Sequence, residues 1–267
     1  MIDQDVIERT LSVALHTGAD FAEVYAEDKR NTSVSLDDGR IEQVTSGRDR
    51  GAGIRVIKGD TTGFAHSSDL SEAGLAEAAR AAAAAASQGD GVVREVSVNP
   101  TTARAVNSVV LQPELVEKAT KVELLQRIDE AARDAGSEIV QVAAGYGDSR
   151  KRVLVANSEG IFVTDDIVRV LARISAVADG DAGMQTGFQS MGHTIGWEVF
   201  DPANDLFVDV EALARDAARQ AIVKLNARPA PSGAMPVVIK NGTGGVLFHE
   251  ACGHGLEADH IQKGASV

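Results

Sequence analysis

The chain is poor in cysteine, in basic residues and in long apolar runs. A single cysteine, Cys252, excludes an intrachain disulfide and favours a reducing compartment. Lysines and arginines number 26 against 39 aspartates and glutamates, for a net charge of −13. Phosphate affinity rests on clustered basic side chains, so this balance speaks against nucleic acid as a partner. It favours solubility and names no substrate. No stretch approaches the roughly 18 apolar residues of a membrane span. The longest small-residue run, 81–86, is polyalanine and reads as helix. The start, Met1-Ile2-Asp3-Gln4-Asp5, lacks the positive flank and apolar stretch of a secretory signal. A cytoplasmic protein with no membrane and no nucleic-acid contact is expected. What the chain does have, 44% hydrophobic and 24% charged residues over 267 positions, suffices for one large globular domain or two smaller ones.

Val6, Ile7, Thr10, Leu11, Ala14 and Leu15 recur at helical spacing, with Gly18 placed to stop the helix. The period then changes to two. Phe21, Val24 and Tyr25 open a strand, Val34 and Leu36 lead into the hairpin signal Asp38-Gly39, and Ile41 and Val44 return. Ile54, Val56 and Ile57 run to Gly59-Asp60, with Phe64 on the next strand. This predicts an antiparallel meander of four or five strands. Ser71 opens an Ala-rich helix to about Gly89, residues 92–98 read as extended, and Asn99-Pro100 and Pro113 bracket an irregular connection. A helix over Val122–Ala135 ends at Gly136. A second meander follows, with strands over Ile139–Ala144, Val153–Ala156 and Ile161–Val177 and a turn at Asn157–Gly160. Asp179–Gly196 reads as a surface loop, and a third long helix covers Val208–Leu225. Helix, meander, helix, twice over, hints at an internal duplication, although no sequence identity is visible between the halves.

Residues 227–233 read as a linker, which puts a boundary near residue 230. An N-terminal α+β domain of antiparallel meanders and long helices is expected over 1–230. The start of a second domain is expected over 231–267: a strand at Val237–Ile239, a Gly-rich turn at Asn241–Gly245 and a helix over Val246–Ala258. That piece is too short to bury its own core, so an incomplete C-terminal domain, continuing past Val267, is expected.

The last helix carries the one cluster that looks like chemistry: His249-Glu250-Ala251-Cys252-Gly253-His254. Neutral imidazole is the commonest zinc ligand, and a carboxylate beside a metal-activated water can act as general base. The familiar peptidase motif is H-E-x-x-H; here the spacing is one longer. Residues five apart on an ideal α-helix lie about 140° apart, so two such rings cannot both face one ion. A one-residue bulge of π type would realign them, and Gly253 and Gly255 relax the backbone there. A local distortion between His249 and His254 is therefore predicted. Catalytic zinc takes three protein ligands. Within the chain Cys252, Glu257, Asp259 and His260 are the candidates for the third, with Cys252 expected to point away and Glu257 able to reach the site or support it from behind; a ligand from sequence past Val267 is an equal expectation. The plain alternative is a packed, hydrogen-bonded helix.

Gly242-x-Gly244-Gly245 before a helix could cradle phosphate. Without a following Lys-Ser/Thr or a full G-x-G-x-x-G it reads as a tight turn. His16, His66 and His193 read as structural or solvated, Trp197 with Phe200 as packing, and Asp201, Asp205, Asp209 and Glu211 as a solvated loop and helix start.

At His249–Asp259, HEACGHGLEAD, the chain resembles the TldD/PmbA family, in its TldD branch. Phe248, the segment Ala156-Asn157-Ser158-Glu159-Gly160 and the early helix and meander with Asp38-Gly39 are similar too. The resemblance implies a cytoplasmic zinc metallopeptidase acting on small or unfolded peptides, as a homodimer or paired with a PmbA/TldE-like subunit. It implies His249 and His254 as zinc ligands and Glu250 as general base. The family's third ligand is a cysteine in the C-terminal domain, expected here beyond residue 267. The competing readings are a non-catalytic partner or regulatory subunit of a peptidase complex and, more remotely, a nucleotide-binding module on Gly242–Gly245.

Overall fold

Four strands of unusual length organise the first part of the chain, and over much of their course buried and more exposed side chains alternate. The computed structural model describes residues 1–86, 95–103, 108–181 and 183–267, and it divides the chain into two units, Met1–Ala227 and Arg228–Val267.

In the first unit the amphipathic opening forms α1 (Gln4–Ala14), and Gly18, at φ +73°, turns the chain into the sheet. Then come β1 (Phe21–Asp37), β2 (Arg40–Lys58), β3 (Thr61–Ser67), α2 (Glu72–Ala86), β4 (Asn99–Thr102) and α3 (Lys118–Arg133). β5 (Ile139–Asn157), β6 (Ile161–Ala178), β7 (Gln185–His193) and α4 (Val210–Leu225) complete it. Ser71 caps α2 by accepting from the Gly74 N–H at 3.2 Å, and Asp209 caps α4 through the Ala212 N–H at 2.8 Å. The sheet runs β3-β2-β1-β5-β6, antiparallel throughout. The outer edge of β6 is shared. β4 pairs parallel with its first residues and β7 antiparallel with its last.

The α+β class stands, with several boundaries corrected. The first meander has three strands, not four or five, because β1 and β2 continue through polar stretches where charged partners such as Asp28 and Arg48 hold each other. β5 runs unbroken across the gap expected between Ala144 and Val153. Its buried positions there are Tyr146 and Asp148, which a count of aliphatic residues misses. The expected loop 179–196 contains β7, and Asn99–Thr102 is a short strand rather than irregular chain. α3 begins a turn earlier than expected. The helix end expected near Gly89, and the extended stretch 92–98 up to residue 94, lie outside the described residues. In the second unit, Val237–Ile239 is not a strand. A strand needs a neighbour to complete its ladder, and among the described residues none pairs with it.

Two large apolar clusters, with a smaller one around Val170, Met191 and Val199, form the core among the described residues. α1 and α2 (Ile7, Leu11, Leu75, Ala79) cover Val24, Ile54 and Leu154. α3 and α4 (Leu125, Ile128, Ala217, Ala221) cover Val34, Val142 and Ile174. Both draw on even-numbered residues of β1, so both helix pairs lie on one face of the sheet. The halves repeat one another down to sequence. Thr62-Gly63-Phe64 in β3 matches Thr186-Gly187-Phe188 in β7. A Cβ on Gly63 would overlap the Ala82 carbonyl oxygen, and one on Gly187 the Ala217 carbonyl oxygen. In each half a glycine lets the backbone of an Ala-rich helix rest directly on the outer strand.

A charged pair is buried in the second half. Lys121 Nζ donates to Asp148 Oδ2 at 2.6 Å, with the two side chains 2% and 4% exposed. The Tyr146 hydroxyl donates to the same oxygen at 2.9 Å. Burial, reinforced by the Asp148 charge, pushes the Tyr146 phenol far above its ordinary range, so it remains a donor. Trp197 and Phe200 close over Tyr146 at ring separations of 5.4 and 6.2 Å, the packing role expected for them. Beside them Glu198, itself buried, accepts N–H groups of Val110, Leu111 and Gly196 and so ties 108–111 to the chain before α4. Burial raises its pKa, but these backbone donors outweigh that and leave the carboxyl below its ordinary value.

Two outcomes follow. Lys121→Met leaves Asp148 buried and uncompensated, so urea unfolding should show a loss of about 3–5 kcal/mol. Lys121→Met with Asp148→Asn should recover part of it, and a single variant as stable as the parent would refute the pair's role. Buried Asp28 accepts two hydrogen bonds from Arg48 and one from Arg152, and the Arg48 bonds are the main cause of its strongly lowered pKa. A lowered carboxyl pKa stabilises the fold above the unfolded value of about 3.9, and the effect fades as pH falls toward the folded value. Asp28→Asn should therefore cost about 1–2 kcal/mol at pH 7, since both arginines are half exposed, and the gap to the parent should close below about pH 4. A gap independent of pH would contradict this.

Candidate metal centre

In the second unit a single α-helical turn, Val246–Phe248, widens at His249–Gly253 into a π turn and tightens again at His254–Leu256. Glu257, with ψ 145°, ends it, and Ala258–Gln262 forms one further helical turn. The expected helix over Val246–Ala258 is thus three short pieces, and the distortion predicted between the two histidines is present. The bond that closes the wide turn runs from the His254 N–H to the His249 carbonyl oxygen, an i+5 to i contact.

This brings the side chains together. The His249 and His254 rings lie 4.5 Å apart between centroids, at 71° to each other. Ligand-capable atoms of His249, Glu250 and His254 all fall within 4.8 Å of one another, the one such trio among the described residues. His254 Nε2 lies 3.7 Å from Glu250 Oε2, while His254 Nδ1 meets Glu257 Oε1 at 2.6 Å. Two imidazoles and an acceptor carboxylate converging at this range form a donor set that suits zinc. All three side chains are exposed and open to a ligand from solvent.

The other candidates go elsewhere. Cys252 donates its thiol to the Phe248 carbonyl oxygen at 3.0 Å, turned back along the helix as expected. Asp259 pairs with Lys263 at 3.1 Å. The His260 carbonyl accepts the Ala265 N–H, part of a fold-back in which Ser266 Oγ also donates to the Gly255 carbonyl oxygen at 2.7 Å. A Cβ on Gly255 would press to 2.6 Å from Val267, so glycine there admits the returning chain, a constraint that spacing alone does not reveal. Gly242, at φ +93°, and Gly244, whose Cβ would come 2.6 Å from Ile239, build the tight turn. In the first unit His16 Nδ1 contacts the Val13 carbonyl oxygen at the end of α1, His66 lies in β3 near Phe64, and His193 ends β7.

Comparison with known proteins agrees with this architecture. Residues 22–86 match a domain described as PmbA/TldA metallopeptidase domain 1, and residues 111–225 match the PmbA/TldA metallopeptidase central domain. A metalloprotease TldD homolog of Haemophilus influenzae is 32% identical over 94% of this chain and 52% of its own length. A metalloprotease of Methanothermobacter thermautotrophicus is 32% identical over 100% of this chain and 56% of its own. The chain spans about half the length of these relatives. Among solved structures, a Thermotoga maritima protein described as a candidate modulator of a DNA gyrase superposes with a TM-score of 0.65 at 20% identity, over 86% of this chain and 50% of that one. TldE of Thermococcus kodakarensis gives 0.59 at 19%, over 81% and 47%. At these identities the likeness is one of fold. With two successive domains of a single family matched over more than half its length, and metalloproteases among its relatives, the chain belongs to the PmbA/TldD metallopeptidase family.

Proposed function

We infer that the chain carries the metal-binding turn of a zinc-dependent peptidase of the TldD type, hydrolysing small or unfolded peptides. The observation that supports this best is the π turn, which sets two imidazoles five residues apart within reach of one ion and places Glu250 beside them. His249 and His254 would supply two of the three protein ligands that catalytic zinc takes. Zinc, when bound, supplies a Lewis acid that polarises a carbonyl and acidifies water. Glu250 accepts the proton of the attacking water on a carboxylate oxygen and returns it to the leaving amine. Glu257 accepts from His254 Nδ1, which fixes the ring and leaves Nε2 facing the site. An extended peptide adding to a sheet edge through main-chain bonds would give little sequence preference. The composition supports a cytoplasmic setting, and the family supports a homodimer or a pair with a PmbA/TldE-like subunit. Among the described residues no helix is long and apolar enough to cross a membrane.

In the full-length protein, Glu250→Gln should keep stoichiometric zinc by elemental analysis and lose on the order of 10²–10⁴-fold in peptide turnover. Retained turnover would end the base assignment, and a parent protein that takes up no zinc would favour a non-catalytic subunit. Glu257→Ala should weaken zinc binding by roughly 10–100-fold in a chelator competition. Unchanged affinity would remove its orienting role.

A further inference from the structure

The cross-strand register of the first unit assembles five arginines on the helix-bearing face of the sheet. Arg30 of β1 lies directly opposite Arg48 of β2 on one side and Arg150 of β5 on the other. One step along, on the same face, Asp28 lies opposite Arg50 and Arg152. Like charges set directly opposite on neighbouring strands destabilise a sheet. Three carboxylates bind four of the five guanidiniums, and a fourth, Asp69, acts on Arg50 by its charge. Asp28 binds Arg48 and Arg152, Asp166 binds Arg150, and Glu114 binds Arg150 at 2.7 Å and pairs with Arg30 at 3.6 Å. A local positive surplus remains in a chain whose net charge is −13.

Three of the five arginines line a cavity. A space of about 500 Å³ is lined by Arg48, Arg50 and Arg152 together with Glu27, Asp28, Asp69 and Ser71, and the Glu27 carboxylate is taken by the Tyr25 hydroxyl. Asp28 is already committed to two arginines, and Asp69 accepts the Ser71 N–H at 2.9 Å. Arg152 spends one N–H on Asp28. Arg50 feels the charge of Asp69 but, among the described residues, donates no hydrogen bond. Ser71 stands at the N-terminus of the 15-residue α2, where the Asp69 carboxylate already accepts a backbone N–H. The uncommitted guanidinium fork of Arg50 beside the partly committed one of Arg152 is chemistry that recognises an oxyanion.

We propose that this cavity is a binding site for a small oxyanion, a carboxylate or a phosphate, gripped by Arg50 and Arg152 with Arg48 held in place by Asp28. It lies wholly within the first unit and shares no residue with the metal centre.

The test is calorimetric titration of the full-length protein with inorganic phosphate and, separately, with acetate, at constant ionic strength so that general screening is held fixed. A saturable signal with either anion supports the site, and the responding anion identifies the chemistry. Arg50→Ala should raise the dissociation constant at least tenfold while leaving the anion-free melting temperature unchanged. Arg50→Lys, which keeps the charge and loses the fork, should fall between the two. No saturable signal with either anion, or parental affinity in Arg50→Ala, overturns the proposal.

Discussion

The first unit depends on the antiparallel pairing of β1 with β5, from Glu23 opposite Asn157 to Asp37 opposite Ala143. Each half of the unit is a helix, a three-stranded meander and a second helix, and neither meander shields its apolar face alone. Joining them side by side through their first strands makes one sheet with both helix pairs on the same face. It also dictates what fills the seam. β1 donates Val24 and Ala26 to one core and Val34 and Leu36 to the other, and between these it carries Asp28 and Arg30. Two apolar cores separated by a charged band are the direct product of that one strand's sequence.

The band has a cost, which is visible in how it is satisfied. Asp28 takes three hydrogen bonds, Asp148 takes a lysine and a tyrosine hydroxyl, and Glu198 nearby takes three backbone N–H groups. Buried carboxylates are tolerable only when so occupied. Such networks fix register more sharply than an aliphatic core does, because a slip of one residue would turn each charge to the opposite face. The long β1–β5 ladder is therefore specified at its centre by charge and at its ends by apolar packing.

How far the sequence discloses this depends on which period each segment obeys. α1, α2, α3 and α4 were legible because their apolar residues recur at helical spacing and sit near capping or stopping residues. The hairpins at Asp38-Gly39 and Asn157–Gly160 were legible from turn chemistry. β7 was not, because its buried positions include Gly187, whose missing side chain is what lets α4 approach. A strand flattened to fit a helix loses the alternation by which strands are recognised. The same feature hid the sequence trace of the duplication at which the element order already hints. The Thr-Gly-Phe repeated at 62–64 and 186–188 is three residues long, and it acquires meaning only when both glycines are found against helix backbones. The arginine rows were equally silent, since Arg48, Arg30 and Arg150 become neighbours through register alone.

The wide turn between His249 and His254 was the most legible feature, and the reason is geometric. An α-helix fixes the angle between any two of its residues, so five-residue spacing of two imidazoles states in advance that a regular helix would separate them. Convergence then demands a wider turn at one place, between His249 and His254. The backbone bond that closes that turn joins the same two residues, with the His254 N–H donating to the His249 carbonyl oxygen. Ligand geometry and backbone geometry are thus coupled. Restoring the α pattern would break the i+5 bond and swing one ring away, whereas an ion held by both rings would oppose that reversion. In the shorter H-E-x-x-H motif an ordinary helix presents both histidines on one face, and metal loss need not disturb the backbone. With an ion held by both rings, the extra residue would tie the shape of the turn to the occupancy of the site, and His254 is already braced from behind by Glu257.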